Sequence, residues 1–557
     1  MNRKLVSILT AAAIVLPFLG VCSKPDALMT LLAAELEREQ AEFAKTEAPP
    51  YYICYRVNDE HEYGITATDG AVMQSYSQPS RLLTVQVRMG DYDVDSFREM
   101  NNAQTPQATQ YNIAGDENPQ SIRRTLWIAT NSEYNKAVAS YNQIQAGLGM
   151  SGGRGYGSDY TKSEPVEYYD KPFARNVKAF DMEGWSARLK RLSAAFKPYK
   201  EIQNGSAILT RRVARNYFVS TEGVRIIENR TYTVLMISAS ATADDGMEIP
   251  LTKTYFARQP EELPSDKTIA ADIEAMAESL KALRRAKTID PYSGPALLAG
   301  GAAGVFFHEI FGHRVEGQRM KSGSDGQTFR KMVGQQVLPA TVSVYDDPTL
   351  ERYNGEQMYG AYKYDEEGVR GERVTVVENG ALHDFLMSRV PLDGFNRSNG
   401  HGRAVAGKFP VSRQSNLLVE SSSQLTHDDM RQLLIDEARA QGKEFGLLFV
   451  SVEGGFTNAT KFQPSAFNVF PNVVYKVYTD GRPDELVRGI DIVGTPLAIF
   501  SSIVEAGGVP ETFTGLCGAE SGSVPVTATA PDILVKKMEV QKKSRNPQLI
   551  PLLPRPY

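Results

Sequence analysis

The sequence predicts an α+β protein: an N-terminal α/β domain over residues 24–290, then a β-rich domain over residues 291–557 that carries a metal-binding helix. Two patterns and one constellation predict it. Apolar residues at helical spacing mark both ends of the first domain: Leu28, Leu32, Leu36 and Phe43, then Ile269, Ile273, Met276, Leu280 and Leu283. Alternating, β-branched runs separated by glycine turns mark the strands of both domains. The constellation is an apolar, glycine-rich run from Gly300-Gly301-Ala302-Ala303-Gly304 that leads straight into His308-Glu309-Ile310-Phe311-Gly312-His313.

A chain of 557 residues is long enough for two or more domains, and 42% hydrophobic residues supply large cores. A formal net charge of −5, from 61 basic and 66 acidic residues, leaves no polybasic field for phosphate backbones and argues against nucleic-acid binding. Residues 1–23 read as a secretory signal peptide, with Met1-Asn2-Arg3-Lys4 as a positive n-region and the apolar run 5–21 as the h-region. Val21 and Ser23 suit cleavage before Lys24, which places the protein in the periplasm or cell envelope. Leu19-Gly20-Val21-Cys22 offers the alternative of a lipoprotein with a lipid anchor on Cys22, although valine stands where a small residue is usual. A permanent membrane anchor is disfavoured, because Pro17 interrupts a run barely long enough to span. Once the leader is removed only Cys54 and Cys517 remain, so the core rather than a disulfide framework must carry the stability.

Taken in order, the first domain opens with the 28–43 helix, which ends before Pro49-Pro50. Strands follow at 51–57 and at Leu83-Thr84-Val85-Gln86-Val87-Arg88-Met89, with Gly64 and Gly70 as turns between them. Tyr217-Phe218-Val219-Ser220 and Tyr232-Thr233-Val234-Leu235-Met236 flank Glu222-Gly223 and read as a second hairpin. Between the two sets, the stretch 145–159 around Gly152-Gly153-Arg154-Gly155 reads as a surface loop, with no strand before it or helix after it to support a phosphate loop. The helix over 269–283 closes the domain ahead of Pro291.

In the second domain, Ala296-Leu297-Leu298-Ala299 leads into the metal helix, and strands follow. They are Val342-Ser343-Val344-Tyr345, Arg373-Val374-Thr375-Val376-Val377 before a turn at Asn379-Gly380, Leu447-Leu448-Phe449-Val450, and Val473-Val474-Tyr475-Lys476-Val477-Tyr478 before Asp480-Gly481. Many strands around one long helix suggest a strongly curved sheet. Glu453-Gly454-Gly455 marks a bulge or a close backbone approach, while Asp59, His61, His383 and His427 read as surface residues.

Two imidazoles bracketing a carboxylate suit a zinc hydrolase: His308 and His313 hold the ion, and Glu309 acts as general base on the attacking water. The histidines are five residues apart, which on a regular helix sets them roughly 140° apart around the axis instead of about 40°. To share an ion, the helix must widen through a π-type turn or break near Phe311-Gly312, where glycine lowers the cost. The ordinary alternative is a buried helix whose histidines satisfy backbone or carboxylate partners. A third protein ligand must be Cys, His, Asp or Glu, and Glu316 lies three residues beyond His313.

The stretch through Glu316-Gly317 resembles the TldD/PmbA family of zinc peptidases, whose metal-bearing members carry HExxxH followed shortly by Glu-Gly. The resemblance is weak before Pro291 and good after it. Gly515-Leu516-Cys517-Gly518-Ala519-Glu520-Ser521-Gly522 is similar to the family's C-terminal cysteine segment, so the resemblance implies Cys517 as third ligand, with a fourth position left open. Glu316 is the competing third ligand, and Cys517 as a buried thiol or as half of a disulfide with Cys54 is the competing role. Ser398-Asn399-Gly400-His401-Gly402-Arg403, followed by Arg413-Gln414-Ser415-Asn416, resembles the family's Arg/Asn-rich loop and makes His401 and Arg403 candidate substrate-binding residues. The implied activity is Zn2+-dependent hydrolysis of extended or unfolded peptides by a homodimer, or by a heterodimer with a related subunit, that encloses the site. A non-catalytic peptide-binding or envelope-assembly protein with a structural metal is the alternative, and a deformylase-like amide hydrolase is a third. The leader is the chief departure, because the best-known members are cytoplasmic.

Sequencing the N-terminus of protein purified from its native host is expected to find Lys24 first. A lipid-modified Cys22 would mean anchoring, and an intact Met1 form in the cytosol would defeat both.

Overall fold

Two long hairpins build the first half of the chain. Strands Tyr52–Thr68 and Ala71–Arg88 turn at Asp69-Gly70, where φ is 49° and 78°, a left-handed pair that aspartate and glycine adopt at low cost. Strands Asn204–Ser220 and Arg225–Thr242 turn around Gly223, with φ 85°. The hairpins pair from Cys54 opposite Ser220 to Thr68 opposite Ser206. With Glu248–Ala257 and the short strands Gln110–Asn112 and Glu167–Tyr169 they form a seven-stranded sheet, antiparallel except for Glu167–Tyr169. Gly64 is not a turn. It sits in mid-strand opposite Tyr76, whose ring lies 2.3 Å from where a Cβ would be.

The computed structural model describes residues 26–98, 108–116, 118–151, 157–174, 177, 179–321, 327–458 and 466–543. The leader, Cys22 and the Gly152-Gly153-Arg154-Gly155 segment lie outside the described residues. Helix Ala27–Phe43, capped by the Asp26 carboxylate accepting from Met29 N, packs with Pro119–Ser151 in a core that includes Leu32, Ile53, Val85 and Leu126. Helices Met182–Ala194 and Asp266–Arg285 share a second core with Leu209, Leu235 and Ile237. The first part of the stretch expected to loop, 145–151, is the end of Pro119–Ser151. Among the described residues no helix is long and apolar enough to cross a membrane.

The second half is organised by one strand, Gly522–Lys542. It pairs with Asn416–Ser421 and Tyr292–Leu298 on one side, and with Ile503–Ala519 and Ile490–Gly494 on the other. Phe445–Asn458 and Ala466–Tyr478 complete the circuit: Tyr292–Leu298 pairs with the first of them, they pair with each other, and Ile490–Gly494 returns the path to Gly522–Lys542. Five strands of a twelve-stranded sheet thus close into a ring, which accounts for the curvature the sequence suggested. The two-residue strand Lys287–Thr288 already belongs to this sheet, so the chain crosses between sheets at the end of Asp266–Arg285. With its helices set against largely antiparallel sheets, the protein is α+β.

Helix Gly300–Ile310 lies on Gly522–Lys542 with nothing between their backbones. A Cβ on Gly300 or Gly304 would come within 2.7 Å of the carbonyl oxygen of Ala530 or Ala528. Phe306, Phe307 and Ile310 fill the core beside it with Phe467 and Ile533. Two carboxylates satisfy the helix N-terminus: Gly300 N donates to Asp532 Oδ1 (3.0 Å) and Gly301 N to Glu511 Oε2 (3.1 Å).

Gly304→Ala is expected to cost about 1–3 kcal/mol in urea unfolding, because its methyl would press on a backbone carbonyl. Gly301→Ala should stay within about 1 kcal/mol of the parent, since its nearest neighbour is the mobile end of Glu511. Equal losses in the two variants would reject close backbone packing as the reason for the glycines.

Candidate metal centre

The helix that starts at Gly300 ends at Ile310. Phe311 leaves regular helical torsions (φ −117°, ψ −55°), and Gly312–Arg314 tightens into a 3₁₀ turn. The five-residue spacing is therefore resolved by a break and a narrower turn, not by π-type widening. His308 comes from the last helical turn and His313 from the 3₁₀ turn, with ring centroids 4.9 Å apart. Breaking a buried helix leaves carbonyls without partners, and Arg314 supplies them: its guanidinium donates to Glu309 O (2.9 Å) and Ile310 O (3.3 Å). Gly312 has a packing reason as well. A Cβ there would fall 1.8 Å from Gln414 Oε1, and Gln414 Nε2 donates to the His308 carbonyl (3.3 Å).

Cys517 lies near the tip of the hairpin formed by Ile503–Ala519 and Gly522–Lys542. That hairpin brings Sγ to 3.1 Å from His308 Nε2 and 3.3 Å from His313 Nε2. The three donor atoms lie within 4.8 Å of one another and all three residues are buried. Tetrahedral zinc, with Zn–N about 2.0 Å and Zn–S about 2.3 Å, would set nitrogen and sulfur about 3.5 Å apart, so the cluster fits the ion after shifts of a few tenths of an ångström. One thiolate and two imidazoles are also the donor chemistry zinc favours. Cys54 is buried in the first half, and both it and Cys517 are free thiols, so the alternative disulfide is not formed.

Glu316 is wholly buried behind His313. Both of its carboxylate oxygens lie 3.2 Å from His313 Nδ1, which leaves Nε2 as the nitrogen turned toward Cys517. Arg319 Nε donates to the same carboxylate at 2.6 Å, and Arg413 Nε lies 3.7 Å from it. The geometry gives Glu316 the outer side of the ring and Cys517 the inner side. Burial alone would raise the Glu316 carboxyl, but His313, Arg319 and Arg413 hold it far below its ordinary value. Burial would lower His313, yet Glu316 and Cys517 outweigh it and hold the imidazole at about 10. Burial would likewise raise the Cys517 thiol, and the two histidines hold it well below the usual range, favouring the thiolate that a metal requires.

Glu309 turns into a cavity of about 830 Å³ that lies between the two sheets. The second half lines it with the histidines, segment 452–457 and segment 512–520, and the first half adds Met236, Thr252, Lys253 and Thr254. Burial raises the Glu309 carboxyl against the pull of His308 and His313. Glu453-Gly454-Gly455 proves to be both a bulge and a close approach: the register slips between Val452 and Gly454, and a Cβ on Gly455 would lie 2.9 Å from Glu309 Cγ.

The structure does not bring His401 and Arg403 to this cavity. His401 is fully buried, with Nδ1 bonded to Asn399 Oδ1 (2.9 Å) and Nε2 to Asp346 Oδ1 (3.1 Å), so neither ring nitrogen is left for substrate. Arg403 donates to the carbonyls of Gln414 (2.6 Å) and Pro525 (2.8 Å), stacks on Tyr362, and lines a separate cavity of about 560 Å³. The loop reaches the donor cluster through its later residues instead, Gln414 at the His308 carbonyl and Arg413 at the cysteine hairpin. Sequence offered a polar run there but no sign that it was buried.

Residues 291–542 match the family model described as the PmbA/TldA metallopeptidase C-terminal domain. An Archaeoglobus fulgidus metalloprotease is 32% identical over 235 residues, which are 42% of this chain and 50% of that protein. A Saccharolobus solfataricus zinc metalloprotease TldD homolog is 26% identical over 44% of this chain and 51% of its own length. The chain thus spans about half the length of these curated relatives. The crystal structure of TldE from Thermococcus kodakarensis shares the fold, with a TM-score of 0.61 over 93% of this chain and all of that one, at 11% identity.

Gly312→Ala is expected to cost about 1–3 kcal/mol by collision with Gln414. Combining it with Gln414→Ala should restore part of that loss in the same urea titration. A double variant no more stable than Gly312→Ala would show that the collision lies elsewhere.

Proposed function

We propose, from the match of residues 291–542 to the PmbA/TldA metallopeptidase C-terminal domain model, that the protein is a zinc-dependent peptidase whose ion is held by His308, His313 and Cys517. The observation that carries the reading is the convergence of three buried donors, one of them a thiol held toward its thiolate form, beside a carboxylate in a cleft. An ion there would supply Lewis acidity toward a carbonyl oxygen and a more acidic water.

The chain's own groups supply the rest. Glu309 is placed to accept a proton at its carboxylate and to pass it to the leaving amine nitrogen, and burial raises its proton affinity. Glu316 holds His313 by Nδ1 and fixes the tautomer that leaves Nε2 as donor. A cleft walled by both sheets suits an extended or unfolded peptide better than a folded surface. Pairing with a second copy or a related chain, and export by way of the leader, are parts of the same proposal.

The competing reading, a metal that only braces a peptide-binding or envelope-assembly protein, gives Glu309 no task. Glu309→Ala is expected to keep one zinc per chain and to lose about 10²–10⁴-fold in cleavage of unstructured peptides, followed by mass-spectrometric product mapping. Unchanged cleavage would sink the general-base role. Cys517→Ser should lose most of the metal affinity, because a hydroxyl is a far weaker zinc ligand than a thiolate. Chelation of the parent protein should open Cys517 to alkylation, and a thiol equally reactive with zinc bound would remove it from the ligand set.

A further inference from the structure

We propose that Arg413 is a positioning residue that ties the Cys517 hairpin to the Glu316–His313 pair and so sets how tightly the donors grip an ion that Arg413 itself never touches. The inference rests on the zinc reading above and concerns what holds the donor set in place.

Arg413 is wholly buried, in the short segment between strands Val411–Ser412 and Asn416–Ser421. Its guanidinium faces two ways. One terminal nitrogen donates to Ser521 Oγ (2.9 Å) and to the Gly522 carbonyl (3.0 Å), and the other donates to the Cys517 carbonyl (2.5 Å). All three bonds close on the turn that carries the thiol. The Nε edge lies 3.7 Å from Glu316 Oε1, on the carboxylate that binds His313 Nδ1. One rigid side chain therefore spans the two segments whose separation decides whether Sγ and both Nε2 atoms can meet at one point. Only a planar fork with five donors can do this, since a lysine ammonium has one centre and a flexible stem.

Arg319 does not duplicate the role. It donates to Glu316 Oε2 (2.6 Å) and Glu520 Oε2 (3.1 Å), so it neutralises the carboxylate, but neither bond reaches the backbone on either side of the thiol. Without Arg413, strand pairs such as Cys517 with Val524 still form the hairpin, yet its backbone loses its ties to the histidine side and keeps only the side-chain bond of Arg319 to Glu520. Partners one layer outside a metal typically change its affinity by about 10–100-fold when removed.

The test uses the full chain and two readouts besides activity: zinc affinity from competition with a chromophoric chelator, and the absorption of the cobalt(II) form, whose thiolate charge-transfer and ligand-field bands report Cys517 and the coordination geometry. Arg413→Lys is expected to weaken zinc about 10-fold or more and to shift the cobalt bands. A merely structural arginine would lower the unfolding temperature but leave affinity and spectrum unchanged, and that result overturns the proposal. Should Arg413→Lys fail to fold, Ser521→Ala removes one anchor only. A loss of about 2–10-fold in zinc affinity supports the proposal, and parental affinity overturns it. A parent protein that takes up no zinc would remove the underlying reading, whereas a zinc-binding parent with unaltered variants would reject the positioning role alone.

Discussion

The contact on which the site depends is the seating of helix Gly300–Ile310 on strand Gly522–Lys542, backbone against backbone. Gly300 and Gly304 leave the carbonyls of Ala530 and Ala528 room that any side chain would fill. The same strand turns at its start into the hairpin that carries Cys517. One close approach thus sets both the height of His308 and the reach of the thiol, and a helix displaced by the width of a methyl would carry its imidazole away from Sγ. The carboxylates of Asp532 and Glu511 at the helix N-terminus oppose such sliding.

Around that contact the protein buries an unusual amount of charge. Glu316, His313, Arg314 and Arg413 are almost wholly removed from solvent, and each is tied to partners rather than left alone. Burying a charge costs far more than it returns unless its hydrogen bonds are complete, so this cluster is a poor way to gain stability. What such a cluster supplies is direction. An imidazole turns freely on its side-chain bonds, and Glu316 removes that freedom from His313 before any ion arrives, while Arg413 holds the backbone that carries the thiol.

Much of this was legible in the sequence where a local pattern carried it. The 28–43 and 269–283 stripes, the Glu222-Gly223 and Asn379-Gly380 turns and the histidine pair stand where periodicity and turn chemistry put them. For a shared ion the spacing of His308 and His313 called for either a π-type turn or a break near Phe311-Gly312, and the structure takes the break, with Gly312 packed against Gln414. Helix Pro119–Ser151 escaped because its buried apolar residues, Ile122, Leu126, Ala129, Ala137 and Ile144, are spread thinly among polar ones. His401 and Arg403 looked available because a glycine-rich polar loop usually lies on the surface, and here the loop is folded inward. Glu316 had the spacing of a ligand, and only the orientation of the His313 ring shows which nitrogen it serves.

The cavity has unequal parents. The donors, Glu309 and the residues that aim them all come from the second half of the chain, between Gly300 and Asp532, whereas the first half contributes only wall, through Met236, Thr252, Lys253 and Thr254. Donor set and part of the cavity wall are therefore written in different halves of the chain and can drift at different rates. Substitutions on strands Arg225–Thr242 and Glu248–Ala257 can reshape the cavity wall while the donors and Glu309 stay as they are. A lineage could change its diet without rebuilding its teeth.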